Sequence, residues 1–237
     1  MLFSYHLLET TRGHGVRLLA RRRATPTPPG LRHAECMALM ELGAPIVSPR
    51  RVQTRRLALF AAWDSRDHLE AYLADDPFGR RWSTGWHVRL EFLRRWGHVA
   101  AFDGLPVRGA SHDPSEPVVA VTLARLKVPQ VPRFIRWGRP VELQVRDDPG
   151  QTLAVAAGRP PRTVSTFTVW RTAQAMTDMV RGRGNGPDRA RHAAAMVERE
   201  REDFHHEFTT LRFRCLGEHG SWEGRTNVVP TAGATGR

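Results

Sequence analysis

The stretch GNGPDRARHAAAMVEREREDF, Gly184 to Phe204, carries one histidine, His192, among Arg, Glu and Ala. Imidazole is a common metal ligand, and a lone histidine beside an apolar helix stripe can be an axial ligand of haem iron. Its nitrogen would make the metal bond while alkyl neighbours exclude water. Spacing alone leaves His192 open as a structural, an exposed or a ligating residue. His205 and His206 give no metal signal, because adjacent residues diverge on a helix and face opposite ways on a strand. Cys36 and Cys215 form no C-x-x-C pair and read as buried structural thiols. No G-x-S-x-G elbow and no Walker loop is present.

Several elements must position His192. Asn185, Gly186 and Pro187 make a helix-start signal, with Asp188 in the first turn. A helix is expected from Pro187 to about Phe204, with Ala193, Met196 or Val197, and Phe204 as its apolar stripe. Glu198 to Asp203 reads as a solvated, salt-bridged face. Upstream, F-x-x-W occurs twice, at Phe60/Trp63 and Phe167/Trp170, each followed by a helical stretch. Each half then ends in an alternating strand: Val88, Leu90 and Phe92 share one face, and so do Leu211, Phe213 and Cys215. FSYHLLE and VVAVTLAR read as opening strands, LRHAECMALMEL and VPRFIRWG as first helices, and VELQVRD as a second strand ended by DDPG.

Each half therefore reads β-α-β-β-α-β, and the expected fold is α+β. Two ferredoxin-like repeats would pack as a pseudo-dimeric α+β barrel, leaving a pocket between the bare sheet faces. The expected division is residues 1–110, residues 111–226 and a disordered tail over 227–237.

The chain has 237 residues, 41% of them hydrophobic, and a net charge of +12. Residues 1–110 hold 17 basic and 10 acidic groups, and residues 111–237 hold 19 and 14. The excess is spread over both halves, and Lys127 is the one lysine. No nucleic-acid motif accompanies the charge, so a nucleic-acid-binding module rests on charge alone and no such partner is expected. No apolar run is long enough for a membrane helix, and the N-terminus reads as a strand, not a signal peptide. Two distant thiols fit a reducing cytoplasm.

The second half resembles the spheroidene monooxygenase family, carotenoid-oxygenating enzymes of phototrophic bacteria and their relatives. The resemblance rests on VAVTLARLK (119–127), Arg133–Phe134, GRPP (158–161), STFTVW (165–170), RGRGNGP (181–187), HAAAM (192–196) and RFRCLGEHGSWEG (212–224). FAAWDS and DDPFGRRW (75–82) are similar in the first half. The resemblance implies a dimeric α+β barrel holding haem b, with His192 as proximal iron ligand and Met196, Arg133 and Phe134 beside the cofactor. It implies a monooxygenase acting on an apolar substrate, a carotenoid or a specialised metabolite, with molecular oxygen and an electron donor, which could be a protein.

Related barrels include haem-degrading monooxygenases, chlorite dismutases, dye-decolourising peroxidases and aldoxime dehydratases. They commonly hold haem through a histidine on the helix before the last strand. The haem would then lie between the bare sheet face and the last long helix. Another haem reaction, dehydration or peroxidation, and a non-catalytic carrier of haem or an apolar ligand are the alternatives. The sequence assigns no catalytic residue; His33, His68, His87 and His98 are candidates to polarise oxygen. Arg133, Arg136 and Arg139 could meet haem propionates or form a solvated face. Trp63, Trp82, Trp96, Trp137, Trp170 and Trp222 could line a polyene or porphyrin pocket or fill the core. A monomeric pseudo-dimer and a homodimer are both open, as is membrane association on an apolar substrate. Residues 14–50, with RRRATPTPPGLR, match the family poorly, and RRWGHVAAFDG is longer than its corresponding turn.

Overall fold

The structure is a computed structural model that describes residues 1–20, 27–45, 48–183 and 190–231. The first half runs β1 (Leu2–Glu9), α1 (Arg12–Ala20), β2 (Leu31–Met40), β3 (Gln53–Trp63), α2 (Arg66–Asp75), α3 (Gly79–Ser83) and β4 (Trp86–His98). The second runs β5 (Val118–Leu126), α4 (Val131–Asp147), β6 (Gln151–Arg159), β7 (Thr163–Trp170), α5 (Ala173–Val180), α6 (Arg191–Arg201) and β8 (His205–His219). The eight antiparallel strands close a barrel in the order β1-β3-β2-β6-β7-β5-β8-β4. Two joints close it. The short one pairs Ala38–Met40 of β2 with Ala156–Gly158 of β6, and the long one pairs β4 with β8 from His87↔His219 to His98↔Phe208. The expected α+β barrel is present.

Alternation decides what fills it. Phe3, Tyr5, Phe60, Trp86, Phe167 and Phe213 all point inward and are fully buried. Tyr5 stacks on Phe167 at 3.9 Å and Phe3 meets Phe213 at 4.9 Å. An eight-stranded barrel is just wide enough for side chains to fill, and these aromatics fill it. The expected pocket between the two bare faces is thus replaced by a packed core.

Two elements differ from the expectation. LRHAECMALMEL forms β2, not a helix. Met37 and Leu39 face the barrel interior while Cys36 and Ala38 join the core outside it, so both faces are apolar and the period-2 signal is lost. VELQVRD is the second half of α4, not a strand. Its alternate Val141, Leu143 and Val145 read as period 2, yet the helix continues through Pro140. Val131, Ile135, Gly138, Val141 and Val145 recur at helical spacing instead.

The helix-start signal Asn185–Asp188 lies outside the described residues, as do residues 232–237. Residues 227–231, expected within a disordered tail, are anchored where described. Val228 is buried, and the backbone N–H groups of Val228 and Val229 donate to Glu218 at 2.8 Å each. Among the described residues no helix is long and apolar enough to cross a membrane.

Candidate active site

The outer faces of the two halves are covered differently. Over the first half, Leu18 of α1, Leu69 and Leu73 of α2 and Trp82 of α3 pack tightly onto Leu57, Leu59 and Trp63. Over the second half the strands offer small residues: Thr122 and Ala124 of β5, Ala156 and Gly158 of β6, and Thr166 of β7. The amphipathic α4 crosses above them, and none of its 17 residues is fully buried. Small side chains below and a helix held off above leave a cleft of about 290 Å³, walled by Val131, Phe134, Ile135 and Phe208. That is near the lower end of the roughly 300–1,000 Å³ usual for ligand pockets, which are likewise mostly apolar.

What holds α4 in place is a clamp to the first half. Glu142 accepts from Arg51 Nη1 and from the Gly43 backbone N–H, both at 2.8 Å, and Arg139 Nε donates to the Gly43 carbonyl at 2.8 Å. Gly43 has φ 77°, a left-handed turn that favours glycine.

The site residues expected from sequence separate into two groups. Phe134 is on the cleft wall. Arg133 is not free for a ligand: it binds the Glu198 carboxylate at 2.6 Å and Glu202 at 3.3 Å, and stacks on Phe204. Met196 is half-buried on α6. His192 also sits on α6, at the junction of α4, α5 and α6, and does not line the cleft. Its backbone N–H donates to Gln144 Oε1 at 2.9 Å, satisfying one of the orphan donors of a helix start. Its Nδ1 lies 3.1 Å from the Val180 carbonyl. A carbonyl only accepts, so Nδ1 carries the proton and Nε2 keeps the lone pair. Burial lowers the His192 pKa, which favours this neutral form.

The inward face of α6 differs from the expected stripe. Ala195 is buried, whereas Ala193 and Val197 are exposed. Glu198, expected in solvent, is turned to α4 by Arg133.

The distal candidates are elsewhere. His33 lies beside Glu35 and against Phe102, His68 bonds Ser65, His87 stacks between His6 and His219, and His98 pairs with Asp103 at the surface. Arg136 is exposed. Trp63, Trp82, Trp170 and Trp222 are core. Trp96 packs against the guanidinium groups of Arg94 and Arg212.

The histidine on the cleft wall is His205, whose side chain is 4% exposed. Its Nδ1 is 2.7 Å from Asp203 Oδ1, and its ring meets Phe134 and Phe208 with centroids 5.6 and 4.9 Å away. The carboxylate accepts, so Nδ1 carries the proton; Nε2 is buried without a hydrogen-bond partner. Burial lowers the His205 pKa, against the pull of Asp203 in the other direction. The sequence signal was D-F-H followed by Phe208: an acid two residues before a histidine at the start of a strand. Among the described residues no three of His, Cys, Asp and Glu converge on one point.

No family model matches the chain. It is 30% identical to the spheroidene monooxygenase of Rhodobacter capsulatus over 178 residues, which are 71% of this chain and 70% of that protein. The chain belongs to the spheroidene monooxygenase family. The spheroidene monooxygenase of Cereibacter sphaeroides is 28% identical over 182 residues, 72% of this chain and 52% of that protein. The match thus spans about half the length of that second relative. Membership makes the chain an oxidoreductase. Among solved structures, an aldoxime dehydratase crystallised with butyraldoxime superposes with a TM-score of 0.53 at 8% identity, over 90% of this chain and 79% of that one. At that identity the likeness shows a shared barrel fold. A spheroidene monooxygenase family member is thereby placed on an α+β barrel whose second half carries the open face.

Proposed function

We propose that this chain is a haem-dependent monooxygenase acting on an apolar molecule, a carotenoid or a specialised metabolite. The observation that carries the reading is the apolar cleft between α4 and the small-residue face of the second half. An apolar substrate requires a dry slot of this kind, and the cleft supplies the slot and its apolar wall. A haem cofactor requires an imidazole with a bare nitrogen. His192 and His205 both present an unprotonated Nε2 in their neutral forms.

His192 is the proposed iron ligand. The Val180 carbonyl fixes its tautomer, the usual way a ligating histidine is oriented and made more basic by its second nitrogen. Haem would supply the oxygen activation, and the protein the ligand, the orientation and the exclusion of water. Phe134 and Phe208 pack against the bound groups, and Met196 adds alkyl bulk beside His192. Arg133 acts through α6, by pinning Glu198 and Glu202 to α4. The two halves are read as repeats of one ferredoxin-like unit forming a pseudo-dimer, since each half of the ring runs in the order fourth, first, third, second strand. An electron donor completes the reaction.

The test is spectroscopic. The protein expressed with haem supply should show a Soret band that shifts or weakens in His192→Ala. A band identical in the variant removes His192 as ligand. No haem uptake by the wild type removes the haem reading altogether. Oxygen- and reductant-dependent turnover of a lycopene-type polyene separates an oxygenase from a carrier.

A further inference from the structure

His205 is a feature of the cleft that haem ligation by His192 leaves unexplained. Its side chain is almost fully buried, its ring is met edge-on by Phe134 and at a tilt by Phe208, and its Nδ1 proton is engaged by Asp203. The remaining polar atom, Nε2, has no partner. A buried acceptor left unpaired is unfavourable, and native proteins rarely keep one without a use. With Nδ1 protonated, Nε2 cannot donate. It can only accept, which fixes the chemistry of what satisfies it.

We propose that Asp203 and His205 form a hydroxyl-recognition element: His205 Nε2 accepts a hydrogen bond from the O–H of an alcohol or phenol carried by an otherwise apolar ligand in the cleft. Val131, Ile135, Ala124 and Ala156 contact the apolar body of that ligand, and Asp203 holds the imidazole in the accepting tautomer. Asp203 is a positioning residue, because it touches His205 and not the cleft. The inference rests on reading the cleft as a ligand site, and does not require haem.

A matched pair of probes tests it in the full-length chain. 2-Naphthol carries the donor, and 2-methoxynaphthalene has nearly the same shape without it. Binding is followed by probe fluorescence at pH 8, with and without added haem. The expected result is that 2-naphthol binds roughly five- to tenfold more tightly. His205→Phe should abolish that preference while still binding 2-methoxynaphthalene, which shows that the cleft is intact. Asp203→Ala should reduce the preference, because the accepting tautomer is no longer enforced. Equal affinities in the wild type, a preference that survives His205→Phe, or no binding of either probe would each overturn the inference. None of these outcomes bears on the Soret band, so the haem reading stands or falls separately.

Discussion

Histidines carry most of the chemistry at the residue scale, and the structure sorts them by environment. His6, His87 and His219 stand in register across β1, β4 and β8, with neighbouring rings stacked 5.1 Å apart. Burial lowers the pKa of each, that of His87 to about 4, and the nearby Arg89 pushes all three the same way. His33 is likewise lowered to about 4 by burial. The unfolded chain would protonate these groups near the ordinary value of about 6.5, so below that pH it binds more protons than the native state. Stability should therefore be level above about pH 7 and fall as the pH drops from 6.5 towards 4. His87 alone should cost roughly 2 kcal/mol at pH 5. Urea unfolding between pH 4.5 and 8 checks this; His87→Gln should flatten the fall, and a profile as steep in the variant would contradict it. His192 could be singled out in the sequence because a helix and a family pattern converge on it. His205 could not, because its value comes from a strand start, a nearby carboxylate and a cleft wall supplied by α4, and none of these is local in sequence.

Helix α4 is the element that decides whether the second half has a site. Over the first half, three helices seal the sheet, whereas α4 is held at its distance by polar ties, to α6 through Arg133 and to the first half through Arg139 and Glu142. Glu142 is the centre of the ties to the first half, with its side chain 15% and that of Arg51 11% exposed. Replacing Glu142 with Ala leaves the Arg51 guanidinium and the Gly43 N–H without their carboxylate. The expected loss is about 2–3 kcal/mol in thermal or urea unfolding. Binding of apolar probes to the cleft should weaken in parallel, since Glu142 and Arg51 both line it. Unchanged stability would show that α4 is fixed by other contacts. The sequence made α4 hard to recognise. Val141, Leu143 and Val145 mimicked a strand, so the helix was cut at its middle. The strands β4 and β8 were legible because each pairs one apolar face with a clear alternation, and β3 and β7 were marked by F-x-x-W. β2 was not, because both of its faces are covered.

At the scale of the molecule, the barrel has one shared interior, and both halves contribute to it. Phe213 of β8 meets Phe3 at 4.9 Å, Phe60 at 6.1 Å and Phe92 at 6.3 Å, all across from the other half. Phe213→Ala should therefore cost about 3–5 kcal/mol and lower a single unfolding transition, rather than split it into two. Separate transitions for the two halves would contradict a common core. The barrel was legible from the order of elements and the twin F-x-x-W segments. The location of free space was not: repeats suggest a pocket between the sheets, and only the sizes of the inward aromatics show that space to be full. The open volume is instead on the helix-covered face, where Ala124, Ala156 and Gly158 keep the floor low.

The central claim is that His192 on α6 holds the haem cofactor. Haem titration of the wild type and of His192→Ala, followed by the Soret band, tests it most directly, with circular dichroism confirming that the variant is folded. The account predicts saturable uptake by the wild type and uptake weakened by at least about tenfold in the variant. Equal uptake by both proteins, or none by the wild type, would contradict it.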